Sequence, residues 1–225
     1  MVLEQLEKIP ISDELFATAL RYRVCPVCLI LQTKTNDLLC GLQSGAVHDQ
    51  EIKTLVLSAG GYCHFHFWYL EKLASPAANA HLLENLLKNI ENQFLADTSG
   101  DAASSFGEGW RCPVCSCCEN WQEKLLAGFA DKVGTQDFRV AYQNSHGLCL
   151  PHLALVLKRL PDSGQRAFLV ESSRRQIAAL RRELGLLITK WQNKNHRLGG
   201  EKDSPHRGVA KIVGGKYCTV SQALR

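Results

Sequence analysis

The chain lacks what would place it in a membrane or mark it for export. No apolar run reaches the ~18 residues needed to cross a bilayer. Its start, Met1-Val2-Leu3-Glu4-Gln5-Leu6-Glu7-Lys8, is acidic and amphipathic where a secretory signal would be basic and then apolar. These absences predict a cytoplasmic protein with no membrane insertion. Strand signals are missing as well: no stretch alternates apolar and polar residues, which excludes a sheet-based fold. Phosphate-binding loops are absent, since Gly214-Gly215-Lys216-Tyr217 has no upstream glycine at P-loop spacing. No general base, open metal position or cofactor cradle stands out, so the reading leans away from an enzyme and names no catalytic residue.

Cysteine is what the chain does have. Ten cysteines occur in 225 residues that are 45% hydrophobic, a length and composition that can bury one sizeable core or two small ones without cross-links. In a reducing compartment so many thiols point to metal binding or thiol chemistry rather than to disulfides. Their placement narrows the choice. Cys25-Pro26-Val27-Cys28 returns as Cys112-Pro113-Val114-Cys115, and each is followed at long range by Gly-x-Cys-x-x-His, first at Gly61 to His66 and then at Gly147 to His152. Each copy therefore offers three cysteines and one histidine: Cys25, Cys28, Cys63 and His66 in the first, Cys112, Cys115, Cys149 and His152 in the second.

The two copies act as controls for each other. A shift of 87 residues lays Cys25 on Cys112, Cys28 on Cys115, Leu38 on Leu125 and Leu39 on Leu126, and a shift of 86 lays Cys63 on Cys149 and His66 on His152. Under the same shifts His64 meets Leu150, His146 meets Gly60, and Cys117 and Cys118 meet Ile30 and Leu31, so these four are poor ligand candidates. Cys40 and Cys218 are left without an assigned role.

The spacing suits a metal. Cys-Pro-x-Cys makes a tight knuckle aiming two thiolates at one point, and a helix N-terminus presents Cys and His three residues apart, with a positive dipole end that favours thiolate. Three Cys and one His complete a closed tetrahedral site of the structural zinc type, with Zn–S near ~2.3 Å and no open position. Two zinc ions per chain are the expectation, with an iron–sulfur cluster or redox-active thiols, including Cys117 and Cys118, as the alternatives. The Cys-x-x-Cys pairs lack the surrounding βαβ pattern of a thioredoxin-like motif, and Leu29 after Cys28 excludes c-type haem attachment.

Helical patterning fills the rest. Ser12 opens a helix to about Tyr22, and leucines after Cys28 suit a helix closed at Ser44-Gly45. Asp49 caps another to Gly60-Gly61, Cys63 to Leu73 forms a ligand helix, and Ser75-Pro76 starts one with an apolar stripe of Leu82, Leu83, Leu86, Leu87, Ile90 and Phe94. After a small, polar, aperiodic segment at 98–109, helices resume around Trp121 to Phe129, after Thr135, from Cys149 to Leu160, and from Ser163 to about His196. Ser204-Pro205 starts a last one to Val213. The expectation is an all-α fold of two pseudo-repeat helical halves packed together, each with a knuckle and a ligand helix: a first repeat at 1–97, a linker at 98–109 and a second repeat at 110–225.

These features resemble an uncharacterised family of bacterial and archaeal proteins, a domain of unknown function marked by the doubled signature. The likeness spans nearly the whole chain, including a late acidic-Ser segment, Glu201-Lys202-Asp203-Ser204, where Pro205 stands in place of an aromatic residue of the family pattern. The resemblance implies the repeat and the metal sets, and no reaction.

Charge bears on partners. Residues 1–110 hold 7 Lys/Arg against 13 Asp/Glu, and 111–225 hold 19 against 9. Attraction between the halves is the plainer reading, and nucleic-acid contact through Arg174, Arg175, Arg181, Arg182, Lys190 and Lys194 on the long helix the sharper one. The leading functional expectation is a zinc-stabilised scaffold or adaptor for a protein partner.

Overall fold

A computed structural model describes residues 13–96, 111–193 and 199–215. The expected linker at 98–109, and with it Cys218 and Lys194, lies outside the described residues. Among those described there are α-helices and one short 3-10 turn, and no strand. In chain order the helices are α1 (Asp13–Leu20), α2 (Pro26–His48), α3 (Gln50–Ser58), α4 (His64–Leu73), α5 (Pro76–Ala96), α6 (Pro113–Lys132), α7 (Gln136–Gln143), α8 (Leu150–Arg159), α9 (Ser163–Gln192) and, after the 3-10 turn Gly200–Asp203, α10 (Ser204–Val213). The fold is all-α, and no helix is long and apolar enough to cross a membrane.

Several helix ends follow their sequence signals. Asp49 accepts from the backbone N–H of Glu51 and Ile52, and Ser75 Oγ accepts from Ala78. The long helix α9 starts at Ser163 as expected, capped by the Asp162 side chain, which accepts from Gln165. Others do not. Thr135 sits at the start of α7, but its hydroxyl donates back to the Lys132 carbonyl. Ser204 is not the cap of α10; Asp203 holds that position and Ser204 is wholly buried.

The most consequential difference is in α2. The expected stop at Ser44-Gly45 does not occur, and the helix runs on to His48. Gly45 serves close approach instead: a Cβ there would stand 2.4 Å from the Ile52 side chain of α3. Uninterrupted, α2 carries the chain about 34 Å from its knuckle.

The described residues fall into two compact units whose boundaries cut across the sequence halves: one comprises 33–96 with 111–120, the other 13–32 with 121–193 and 199–215. Helices α2 and α6 each begin in one unit and end in the other. The first unit buries Leu38, Leu39, Leu42, Val56, Leu70, Leu82 and Leu86. Of the α5 stripe, Leu82 and Leu86 turn inward, whereas Leu83, Leu87 and Phe94 are exposed. The second unit is built on aromatic side chains: Phe129 meets Phe16, Phe138 and Tyr142 edge-on with ring centroids 5.7, 5.0 and 5.7 Å apart. Trp121, Leu125 and Leu126 are buried beside them in sequence, on α6.

Candidate metal centres

The eight sequence-selected residues converge in two groups, and the grouping is exchanged between the copies. One group is Cys25, Cys28, Cys149 and His152; the other is Cys63, His66, Cys112 and Cys115. The first knuckle therefore meets the second ligand helix, and the second knuckle meets the first. The expectation that each copy closes on its own quartet is corrected.

Helix length supplies the reason. From Cys28 the chain must travel the whole of α2, while α3, which could bring it back, has nine residues and covers about 14 Å. The turn after α3 is tight, with Gly60 and Gly61 at φ of 67° and 89°. The second copy repeats the imbalance, with 20 residues in α6 against 8 in α7. In both, the return helix is less than half as long as the helix it follows and cannot retrace it to the preceding knuckle.

All eight residues occupy equivalent places. Cys25, Cys112, Cys63 and Cys149 stand immediately before α2, α6, α4 and α8, and each one's carbonyl accepts the first helical N–H, from Leu29, Ser116, Phe67 and Leu153. The partner in each pair is three residues on, in the first helical turn. Each group is thus a meeting of two helix N-termini, whose partial positive charge and unpaired N–H groups favour thiolate sulfur. Proline supports this at Pro26 and Pro113, where its missing N–H costs nothing.

In the first group the Sγ atoms of Cys25, Cys28 and Cys149 lie 3.5, 3.3 and 3.2 Å from His152 Nδ1, and Cys28 Sγ lies 3.7 Å from Cys149 Sγ. In the second, Cys112, Cys115 and Cys63 lie 3.5, 3.4 and 3.2 Å from His66 Nδ1, with Cys63 and Cys115 sulfurs 3.6 Å apart. A tetrahedral ion with Zn–S near 2.3 Å and Zn–N near 2.0 Å has S···S edges of about 3.8 Å and S···N edges of about 3.6 Å. The donor sets fit a single ion of that size. Both histidines turn Nδ1 toward the sulfurs and leave Nε2 buried without a partner among the described residues, so a ring ligating a metal through Nδ1 would carry its proton on Nε2.

The electrostatics point the same way. Hydrogen bonds from Cys112 and Cys115 hold the Cys63 thiol far below its usual range, while the Cys115 thiol, facing Cys112 and Cys63, is driven far above. Burial opposes charge on His66, but Cys112, Cys118 and Cys63 outweigh it and push the ring up to about 11. In the first group burial opposes ionisation of Cys25, yet Cys149, Cys28 and His152 pull it well down, and His152 is raised mainly against burial by Cys25 and Cys149. Three thiols and an imidazole this close form a donor set that could hold a metal ion.

The first group has further support that sequence spacing did not single out. The Gly215 N–H donates to Cys28 Sγ at 3.3 Å, and Lys211, only 4% exposed, donates from Nζ to the His146 carbonyl at 3.0 Å. Burial lowers the Lys211 pKa, and the thiolates of Cys25 and Cys149 oppose that. Arg207, also buried, forms an ion pair with Glu183 of α9. All three residues lie on or just after α10. Their one sequence signal was the acidic-Ser segment leading into that helix.

A family model described as a family of unknown function, DUF6062, matches residues 2–219. The chain belongs to DUF6062. No curated protein and no solved structure matches it. The part of this DUF6062 chain that matches contains both donor groups and α10, so the family resemblance read from the doubled signature holds.

The remaining described cysteines are not members of either donor set, although Cys118 lies beside His66. Cys117 and Cys118 are buried, and Cys118 Sγ lies 3.2 Å from Thr35 Oγ1; Cys40 is exposed. Replacing Cys117 and Cys118 together by alanine is expected to leave the metal content of the DUF6062 chain unchanged, at a packing cost of about 1 kcal/mol per site. Metal counting by elemental analysis, with a denaturation midpoint, checks both parts. On the basic face of α9, Arg174 and Arg175 both bond Glu171, and Lys190 bonds Glu201, so intramolecular carboxylates engage three of the six cations considered for nucleic acid.

The glycine before each ligand helix has a structural duty. Gly147 has φ of 72°, and a Cβ there would stand 2.0 Å from Gln176 Oε1. Gln176 cannot move freely, because its Nε2 donates to the Tyr142 and Ser145 carbonyls. Gly147→Ala is expected to destabilise by about 2–4 kcal/mol. Gly185→Ala, inside α9 with nothing near its Cβ position, should be neutral or stabilising by up to about 1 kcal/mol. Urea midpoints of the two variants provide the comparison.

Proposed function

We propose that this protein is a cytoplasmic scaffold or adaptor whose helices are pinned by two structural zinc ions, one per Cys3His group. The observation that carries the reading is the donor geometry: in each group four ligand atoms lie within 4.8 Å of one another. With four protein ligands no position is left for a substrate, which is the mark of a structural rather than a catalytic site. An iron–sulfur cluster would put its thiolates on different irons, farther apart than the ligands of one ion, so the compact sets favour a single metal. The interaction part of the proposal is supported by apolar side chains left on the surface, Leu83 and Leu87 on α5 and Leu186, Ile188 and Trp191 on α9, at 44–65% exposure.

Elemental analysis and absorption spectra of freshly purified protein, prepared without oxygen, provide the test. Two zinc ions per chain and a colourless solution are expected. A brown solution absorbing near ~400 nm with stoichiometric iron and sulfide would replace zinc by a cluster.

A further inference from the structure

The second unit contains a cavity of ≈ 320 Å³ that neither donor group explains. It is bounded by the turn between α1 and α2, the turn between α7 and α8, one face of α9, and Arg207 of α10. Four arginines line it, Arg21, Arg23, Arg175 and Arg207, against a single carboxylate, Glu183. That carboxylate is already engaged by Arg207 and, at 3.4 Å, by Arg23. Arg175 bonds Glu171 outside the cavity lining, while Arg21 has no ion-pair partner among the described residues.

Two polar atoms in the lining are unsatisfied. Arg207 is 5% exposed, and its Nε has no hydrogen-bond partner; His146 Nε2 is likewise buried without one. A buried donor without a partner costs about 1–3 kcal/mol, so a guanidinium held in this condition at the wall of a polar cavity implies something that visits it. The charge of the wall says what. Burial, first, and then the neighbouring cations Lys211, Arg207 and Arg23 hold His146 neutral, at a pKa of about 4, and four arginines against one carboxylate leave the wall net positive. A neutral imidazole there can donate or accept one hydrogen bond, and Arg207, whose two terminal nitrogens are engaged by Glu183, still offers its Nε–H.

We infer that this arginine-lined cavity is a binding site for a small oxyanion, a phosphate or carboxylate group carried on a molecule of modest size. The volume is at the lower end of small-ligand pockets, larger than a bare phosphate requires and too small for a folded partner. The Arg21 and Arg23 side chains, both on the exposed turn before the first knuckle, bring charge to the entrance, while Arg207 and His146 receive the anion at the wall. Because Arg207 and Lys211 share α10 with the cover of the first donor group, a bound anion would also hold that helix in place. The inference stands apart from the metal proposal, since none of these residues is a proposed ligand.

The probes are inorganic phosphate and citrate, titrated into the full-length, metal-loaded protein and followed by backbone and imidazole NMR shifts, with sodium chloride at matched ionic strength as the reference. At least one of the two anions is expected to give saturable shifts at residues around the cavity, His146 among them. Arg21→Gln/Arg23→Gln should weaken that binding by about tenfold or more while metal content and helicity stay as in the parent. Saturation by phosphate alone places the ligand among phosphorylated compounds, and saturation by citrate alone among carboxylates. Shifts no larger than those from chloride, or equal affinity in parent and double variant, would overturn the inference. Because metal content is measured on the same samples, failure here is distinguishable from failure of the zinc reading.

Discussion

Replacing Cys25 and His152 together by alanine is expected to leave one metal ion per chain, whereas replacing Cys25 and Cys63 together should leave none. The first pair belongs to one donor group and damages only that group, while the second pair takes a ligand from each. Closure within each sequence copy would give the opposite result, because Cys25 and Cys63 would then share a site. The experiment keeps the chain whole and reads an integer, so it does not depend on small energies. Cys112→Ala/His66→Ala and Cys112→Ala/Cys149→Ala provide the mirror test, with one metal and none expected. Parallel melting curves separate loss of a site from loss of the fold. If the Cys25/Cys63 pair retains a full-strength metal and the Cys25/His152 pair retains none, the exchanged arrangement is wrong.

Metal removal should have the largest effect on stability. Structural zinc in small domains is worth on the order of 10 kcal/mol of folding free energy, and here two groups hold the first turns of α2, α4, α6 and α8. A loss of only 5 kcal/mol already corresponds to about 10–20 °C in melting temperature for a chain of this size. Chelation under reducing conditions is therefore expected to lower the melting temperature by at least that much and to reduce helicity measured by circular dichroism. Re-addition of zinc should restore both. A chelated chain that melts with the untreated protein would remove the structural role from these groups, whatever metal they bind. Acid should act in the same direction, because protons compete for the same thiolates and imidazoles.

Much of the candidate site was legible because its elements are local. A Cys-Pro-x-Cys and a Cys-x-x-His both place two donors at the start of a helix, one just before it and one in its first turn, and that placement depends on spacing alone. Helix starts at Asp49 and Ser75 were legible for the same reason, since a capping side chain bonds within three residues of itself. Gly45 shows where local reading failed. A glycine near a helix end commonly stops it, but here it lets Ile52 of the next helix pack against α2, a contact that no neighbouring residue announces. The α5 stripe failed in a similar way: Leu82 and Leu83 are equally apolar in sequence, yet only the first finds a core to enter.

The sequence by itself determined which eight side chains are the candidate donors, that they come in pairs three residues apart, and that the chain is helical. Tertiary structure alone decided which pairs meet. The two knuckles are identical over four residues and the two ligand helices share the same spacing, so nothing local tells Cys25 and Cys28 whether to join Cys63 and His66 or Cys149 and His152. The choice falls to the lengths of α2 and α6 and the short returns that follow them, and to the packing of the units they enter. It likewise fell to tertiary structure to set Arg207, His146, Arg21 and Arg23, from three separate stretches of the chain, around one cavity. Donor chemistry is a property of a few adjacent residues, whereas partnership between distant segments is a property of how far rigid helices carry them.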